Sequence, residues 1–176
     1  MSIVDLSRVP AYYHKYINLV SDKELDEAFT HYTAGFIKFL QSIPEDKWDF
    51  RYAEGKWSIQ EMVQHIIDAE RIFCYRALCF ARQDQTPLPG FEENDYARNS
   101  KAGLRSKESL IEELKAVQSS TASLFRSFTQ AMLNEEGTAN GNPVYVKGIG
   151  YIILGHIKHH ESILKERYLQ EKTISL

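Results

Sequence analysis

Cysteine is scarce in this sequence, which has only Cys74 and Cys79 among its 176 residues. Two positions five apart on a helix point in different directions, so we expect no disulfide between them. Scarce, unpaired cysteines are typical of proteins from the reducing cytoplasm, where they serve as small buried side chains. The cysteine content therefore predicts a cytoplasmic protein.

Long apolar runs and an excess of positive charge are also absent. No run approaches the roughly 20 apolar residues of a membrane span. The first residues, MSIVDLSRVPAYYHKY, lack the charged segment and apolar core of a signal peptide. The formal net charge is -3, whereas a nucleic-acid surface needs a basic patch. The composition therefore argues against membrane and nucleic-acid partners, and the length suits one domain, 1–176, with one core.

The sequence does contain four long segments whose apolar residues recur every three or four positions, as in amphipathic helices. They predict helices at about 22–42, 58–82, 107–130 and 149–168. Capping boxes mark two of the starts, Ser21 with Glu24 and Ser58 with Glu61. The string PVYV is the only plausible strand. This pattern predicts an all-α protein, a four-helix bundle.

The connection 84–105, DQTPLPGFEENDYARNSKAGLR, is unusually long for a compact domain. Connections of this length are usually functional or mobile. It permits a crossover between helices, and EENDYARN predicts one short helical turn. We interpret the connection as the rim of a pocket, although an ordinary exposed loop fits equally well. Its candidate substrate contacts are Phe91, Glu92, Glu93, Asp95 and Tyr96.

Three histidines lie within five positions of the last helical segment, GYIILGHIKHHESIL. A helical wheel places His156 and His160 near the centre of the apolar arc, one turn apart, and His159 at its edge. Burying an imidazole without partners costs a few kcal/mol. A divalent metal removes that penalty because neutral imidazole nitrogens are good metal ligands.

A metal site needs a third ligand from elsewhere, and three other histidines exist. His65 lies on the flank of the second helical stripe, where it can face a neighbouring helix. His31 fits the surface or a seam between helices, and His14 lies in an irregular segment. A single histidine on an apolar face is usually a hydrogen-bonded core residue. The spacing alone therefore supports a metal site and a purely structural arrangement equally.

Three motifs resemble the DinB/YfiT-like family of metal-dependent proteins. GKWSIQEMVQHIIDAERIF resembles that family's second-helix motif, GHIKHHESIL its last-helix signature of two histidines separated by three residues, and LPGFEENDYA its middle connection. The resemblance covers about residues 22–168. It implies an up-down-down-up bundle with a long crossover, and a metal ligated by one histidine of the second helix and two of the fourth. By position these are His65, His156 and His160, and His159 stays outside the set.

The resemblance also implies a chemistry. The divalent ion is Zn, Ni, Fe or Mn, and three histidines leave positions free for water or substrate. Such a metal can lower the pKa of bound water and so supply hydroxide for hydrolysis of a small molecule. It can also activate a low-molecular-weight thiol, and members of the wider superfamily are similar to thiol-dependent S-transferases and isomerases. A non-catalytic metal-binding or interaction module of the same fold is the alternative. The family implies neither DNA binding nor polymerase activity.

Two glutamates of the second segment need an explanation. Glu61 is a candidate general base, or a residue that orients His65, but we favour the simpler interpretation that it only completes the capping box. Glu70 lies within the apolar arc, and we interpret it as structural. A buried carboxylate is expected to pair with an arginine. The candidates are Arg51, Arg71, Arg76 and Arg167.

Several aromatic residues lie outside the main helical segments. They leave two alternatives open, a homodimer or packing over the ends of a monomeric bundle. These residues are Tyr12, Tyr13, Tyr16, Phe50 and Tyr52.

Overall fold

The computed structural model describes residues 3–170, and most of them are helical. The α-helices are α1 (His14–Ile17), α2 (Leu25–Ser42), α3 (Ile59–Ala81), α4 (Glu93–Asn99), α5 (Lys107–Arg126), α6 (Gln130–Asn134) and α7 (Val146–Ile163). The strands are β1 (Glu136–Ala139) and β2 (Asn142–Tyr145). Short 3₁₀ turns are Leu6–Arg8, Ala11–Tyr13, Glu45–Lys47 and Ala102–Leu104, and a π-helical turn, Leu164–Tyr168, extends α7.

The four long helices, α2, α3, α5 and α7, form a bundle in which α2 and α3 each pack against both α5 and α7. The contacts that fix the directions are Gln60–Arg105 and Cys74–Thr121 for α3 and α5, Asp26–Arg126 and Gln41–Lys107 for α2 and α5, and Lys23–Tyr151 and Phe39–Lys165 for α2 and α7. Helices α3 and α5 are therefore parallel, α2 is antiparallel to α5, and α7 is parallel to α2. This up-down-down-up order confirms the predicted bundle.

Helix α3 matches its predicted bounds, and its capping box is present. The backbone amide of Glu61 donates to Ser58 Oγ at 3.2 Å, and the amide of Ser58 donates to Glu61 Oε2 at 2.8 Å. The other predicted box was wrong. Helix α2 begins at Leu25, and Glu24 is its N-cap without a side-chain bond. Ser21 lies too far from this start to cap it.

The later boundaries shift for local reasons. Helix α5 ends at Arg126 instead of near 130, because Thr129 caps a new short helix by accepting from the Met132 amide. Helix α7 begins at Val146 instead of 149, directly after β2. The predicted strand in PVYV is part of β2, which pairs antiparallel with β1 from Glu136↔Tyr145 to Ala139↔Asn142. The sequence EGTA of β1 has no apolar alternation and was missed.

The long connection is tied to this hairpin. The amide of Leu88 donates to Thr138 O at 2.9 Å, and the amide of Asn140 donates to Leu88 O at 3.0 Å. The predicted helical turn in the connection is α4. Further along the connection, α4 packs on α3, and its first residue, Glu93, lies near His65 of α3.

Helix α1 packs closely on α7 because residue 155 is glycine. A Cβ at Gly155 would lie 2.3 Å from the backbone oxygen of Tyr16. The close approach buries Tyr16 and places its ring against His159, with 4.6 Å between ring centroids. After the end of α7, Tyr52 and Phe50 pack on Tyr168. Tyr16, Phe50 and Tyr52 therefore pack against the bundle, Tyr12 is largely exposed, and the homodimer stays a prediction. None of the helices within residues 3–170 has the length and apolar character needed to cross a membrane.

Candidate metal centre

Three histidine rings from two helices meet inside the bundle. His65 comes from α3, and His156 and His160 come from successive turns of α7. The Nε2 atom of His156 lies 3.0 Å from Nε2 of His65 and 3.0 Å from Nε2 of His160. His65 and His160 are buried, and His156 is partly accessible. We call these three residues the histidine cluster.

Hydrogen bonding alone cannot satisfy this arrangement. Each nitrogen of a neutral imidazole either donates one proton or offers one lone pair, yet Nε2 of His156 faces two other Nε2 atoms. In addition, the Nδ1 atoms of His65 and His160 are buried without a hydrogen-bond partner among residues 3–170. Ligands at zinc–nitrogen bond length in a tetrahedral site lie about 3.3 Å apart. The spacing and the donor set of the cluster therefore fit a divalent cation.

The surroundings of the cluster favour neutral imidazoles. Burial lowers the pKa of His65 to about 4. Burial, followed by the neighbouring histidine rings, holds the pKa values of His156 and His160 well below the ordinary value of 6.5. Metals bind imidazole only in its unprotonated form, so the cluster is ready to ligate at neutral pH.

The remaining histidines lie outside the cluster. His159 is half-buried against Tyr16, and its ring centroid lies 5.2 Å from that of His160. His14 contacts the backbone oxygen of Val9 at 3.0 Å, and His31 is exposed. Within residues 3–170, the histidine cluster is the group of histidine, cysteine or acidic residues whose ligand atoms lie close enough together to hold a metal ion.

A cavity of about 380 Å³ lies over the cluster. Its walls come from the N-terminal turns and α1, from α3, from the connection before α4 and from the hairpin tip. Trp57 packs on His65 with 4.7 Å between ring centroids, and Phe73 flanks His156 at 6.3 Å. The lining residues are Tyr12, Tyr13, Tyr16, Trp57, Ala69, Phe73, Arg76, Gly90, Phe91, Glu92, Glu93, Asn140, His156, His159 and His160. The cluster is thus reachable by a small molecule.

The connection supplies part of this wall, as its length suggested. Phe91, Glu92 and Glu93 line the cavity. Asp95 pairs with Arg98 instead, and neither Asp95 nor Tyr96 is among the lining residues.

Glu93 is the acidic residue that reaches the histidine cluster. Its Oε2 lies 4.0 Å from Nε2 of His65, and more than half of its side chain is accessible to solvent. Burial, followed by the charge of Glu92, raises the pKa of Glu93 above its ordinary value. The sequence placed Glu93 among five candidates but offered no signal that singled it out.

Glu61, the candidate base of the sequence, is engaged elsewhere. Its carboxylate accepts bonds from the Ser58 amide and from both terminal nitrogens of Arg51. Burial raises the pKa of Glu61, but the bonds from Arg51 and Ser58 outweigh it and the net shift is downward. Glu61 does not line the cavity. The structure gives it the capping role that the sequence favoured, and no contact supports a catalytic one.

Glu70 is buried as predicted, but the expected arginine partner was wrong. Its Oε1 accepts from the hydroxyl of Thr121 on α5 at 2.5 Å, and its Oε2 has no partner among residues 3–170. The candidate arginines are bound to other groups. Arg51 pairs with Glu61, Arg71 with Glu113, Arg76 with the backbone oxygen of Pro89, and Arg167 with Tyr52. Burial raises the pKa of Glu70 to about 7.

Known proteins share this fold. The chain superposes on YfiT from Bacillus subtilis with a TM-score of 0.71 and 13% identity, over 92% of this chain and 89% of that chain. That structure is described as "a probable metal-dependent hydrolase with an unusual four-helix bundle topology". A mycothiol-dependent maleylpyruvate isomerase gives a TM-score of 0.66 and 15% identity, over 80% of this chain and 60% of that one. At these identities the likeness establishes the fold alone.

Sequence comparison extends the likeness beyond the fold. A protein of Geobacillus kaustophilus, named "Putative metal-dependent hydrolase", is 26% identical over 125 residues, which are 69% of each chain. The family model of the DinB superfamily matches residues 28–164, a stretch that contains all three residues of the histidine cluster. The resemblance seen in the sequence is therefore confirmed: this chain belongs to the DinB superfamily.

Proposed function

We propose that this protein is a metal-dependent enzyme that acts on a small molecule, with His65, His156 and His160 as the metal ligands. The observation that carries the proposal is the convergence of three histidine rings beside a cavity that His156 and His160 line. The metal-dependent names of its relatives support the same conclusion. The scarcity of cysteine supports a cytoplasmic location for the enzyme.

Hydrolysis is the reaction that the geometry favours. A divalent cation in the cluster would supply Lewis acidity, which acidifies water and polarises a carbonyl group. Glu93 lies 4.0 Å from Nε2 of His65 and remains open to solvent, so its carboxylate can accept a proton from water that enters the cavity. Trp57 and Phe73 supply apolar walls that position a substrate and limit the access of bulk water.

Thiol S-transfer is a second candidate, because the site has room for two reactants. A second cavity of about 430 Å³ adjoins the first, and the two share Tyr12, Tyr13, Phe73, Arg76 and Asn140. The fold is also that of a mycothiol-dependent isomerase. In this case one cavity would hold the thiol and the other its electrophilic partner.

The first test is elemental analysis of the protein purified without a histidine tag. We expect about one transition-metal ion per chain. The protein, stripped with a chelator and then reloaded, is next assayed on esters, lactones and amides, and separately on thiol–electrophile pairs. Turnover that depends on the metal supports an enzyme, and the panel that responds identifies the reaction. Metal without turnover on either panel would favour the non-catalytic module.

The role of Glu93 is tested with a matched pair of variants. Glu93→Gln should lower kcat for the responding hydrolytic substrate by about 100-fold or more, since general bases typically contribute that much. Its metal content should stay unchanged. Glu112→Gln changes an exposed carboxylate of α5 and should leave kcat as it is. Equal kcat in both variants would remove Glu93 from the reaction.

A further inference from the structure

Arg76 is a buried cation that has no acidic partner among the described residues. The residue is 5% exposed, and it forms no ion pair with any carboxylate within residues 3–170. Arginine stays protonated even when burial lowers its pKa, as it does here. Burying an unpaired charge is costly, and proteins normally supply a partner. The charge of Arg76 therefore needs a further explanation.

Hydrogen bonding uses little of the guanidinium. One terminal nitrogen, Nη2, donates to the backbone oxygen of Pro89 at 2.8 Å, a bond that helps to hold the connection before α4. The other N–H groups have no hydrogen-bond acceptor among the described residues. A guanidinium carries five N–H donors, arranged to grip a carboxylate with two parallel bonds. Anchoring Pro89 thus accounts for only part of this side chain.

The guanidinium also lies within reach of the histidine cluster. Arg76 lines both the cavity over the cluster and the adjoining cavity. Its Cζ lies 5.6 Å from the ring centroid of Phe73, and that centroid lies 6.3 Å from the ring centroid of His156. The two distances together place the guanidinium carbon no more than about 12 Å from the His156 ring. A small molecule can span this gap.

We propose that Arg76 binds a carboxylate of the substrate, so that the enzyme acts on small carboxylic acids whose reactive group lies a few bonds from the acid. This proposal rests on the proposed function and adds the substrate class. Glu93, whose Oε2 lies 4.0 Å from Nε2 of His65, repels an anion beside the histidine cluster, and Glu92 adds a further negative charge to the cavity wall. The substrate is therefore oriented with its carboxylate at Arg76, while its reactive end faces His156 and Glu93.

Binding to the chelator-stripped protein tests the proposal without any need for turnover. Phenylacetate is a suitable probe because Tyr13 and Phe73 line the cavity beside Arg76. Phenylacetamide is its neutral counterpart. Titration calorimetry, together with the fluorescence of Trp57 at the cavity wall, should show at least about tenfold tighter binding of the acid, as expected for hydrogen bonds to a charged group. Equal affinities, or no binding of the acid, would overturn the proposal.

Variants locate the binding. Arg76→Met should remove the preference for the acid, and Arg76→Lys should keep part of it because the charge remains. Arg126→Gln removes a surface arginine that pairs with Asp26 and serves as the control, with unchanged affinity for phenylacetate. If Arg76→Met does not fold, the Lys variant and the acid–amide pair still decide the question. An acid preference that survives in both Arg76 variants would contradict the proposal.

Two further measurements distinguish a failure of the carboxylate proposal from a failure of the proposed metal chemistry. Phenyl phosphate binding more tightly than phenylacetate would show an anion site but overturn the carboxylate assignment. The metal content of reloaded Arg76→Met should equal that of the unaltered protein, since Arg76 is not part of the histidine cluster. A failure of the proposed metal chemistry would instead appear as absent metal or absent turnover, with the acid preference intact.

Discussion

Helix α3 carries two buried polar clusters that differ in their surroundings. His65 joins the histidine cluster, whereas Glu70, five residues later, contacts Thr121 of α5, whose hydroxyl also lies 3.1 Å from Sγ of Cys74. We call Glu70, Cys74 and Thr121 the Glu70 cluster. Both clusters contain buried atoms that lack a hydrogen-bond partner among the described residues. A buried polar group is therefore not by itself a sign of function.

The two clusters differ in whether their polar atoms converge on one point and in whether a cavity gives a ligand access to them. The histidine cluster aims three equivalent nitrogens at one another beside a cavity. The Glu70 cluster does not line that cavity. A proton on Oε1 of its carboxyl group makes both contacts of the Thr121 hydroxyl favourable, while Oε2 stays without a partner among the described residues. Thr121 has one proton and faces two acceptors, Glu70 Oε1 and the backbone oxygen of Val117. A neutral Glu70 can donate to Thr121, which then donates to Val117. A cation would satisfy the converging nitrogens of the first cluster, and a proton would satisfy the contacts of Thr121 in the second.

The largest expected effect comes from removing a histidine of the first cluster. His156→Ala should weaken metal binding by about 100-fold or more, because changes even to groups behind a ligand cost 10- to 100-fold. His159→Ala is the matched control on the same helix and should keep its metal, since its ring lies outside the cluster. Elemental analysis after dialysis against a weak chelator measures both. Stoichiometric metal in His156→Ala would remove that residue from the ligand set.

The second prediction concerns Glu70 and pH. Its pKa is raised from 4.5 to about 7 in the folded protein, so folding favours the protonated form. This contribution to stability is fully present below pH 4.5, is lost as pH rises towards 7, and is absent above it. Glu70→Gln keeps a neutral polar group at the site. The variant should exceed the unaltered protein in unfolding free energy by roughly 3 kcal/mol at pH 8.

Denaturant unfolding of both proteins between pH 4.5 and 8 measures this effect. The difference between them should shrink towards zero at the acid end, where Glu70 is protonated in the folded state and about half protonated in the unfolded state. Cys74 does not titrate in this window because burial raises the pKa of its thiol to about 12. A difference that stays constant with pH would show that Glu70 is not neutral in the fold.

The third prediction contrasts the response of the two clusters to metal. Zinc at 100 times its dissociation constant should raise the unfolding free energy by about 2.7 kcal/mol if only the folded state binds it. The same gain is expected in Glu70→Gln, because that cluster takes no part in binding. The gain should be absent in His156→Ala. Equal stabilisation of all three proteins would mean that zinc binds elsewhere.

The sequence predicted one cluster better than the other for a physical reason. His156 and His160 are four residues apart, and helical period alone brings such residues to one face. Ser58 and Glu61 form their capping box for an equally local reason. Which arginine or hydroxyl meets Glu70 depends instead on how α5 packs against α3. The position of Glu93 beside His65 likewise depends on how the connection and α4 pack against α3, which no local pattern encodes.

Local sequence patterns were also insufficient to predict the helix ends and the residues around the cavity. The predicted capping box at Ser21 had the right residue types, yet α2 begins later, at Leu25. The apolar periodicity predicted one helix over 107–130, whereas the cap at Thr129 begins a separate helix, α6. Arg76 was considered only as a partner for Glu70. Its position at the wall of two cavities follows from the fold of the connection and the hairpin around it. Local periodicity brought His156 and His160 to one face of a helix, the family resemblance added His65, and tertiary packing determined what surrounds the cluster.

The smallest expected effect comes from Thr121, which tests whether the Glu70 cluster is held by its hydroxyl. Thr121→Val keeps the shape of the side chain and removes the hydroxyl that contacts Glu70, Cys74 and Val117. Losing a hydrogen bond while its buried partner remains should cost about 1–2 kcal/mol at pH 5. Thr121→Ser keeps the hydroxyl and should recover most of that loss, and metal content should be unchanged in both variants. If Thr121→Val and Thr121→Ser lower the unfolding free energy equally, the hydroxyl of Thr121 does not stabilise the Glu70 cluster. The contrast between a cluster that binds a proton and one that binds a cation would then lose its structural basis.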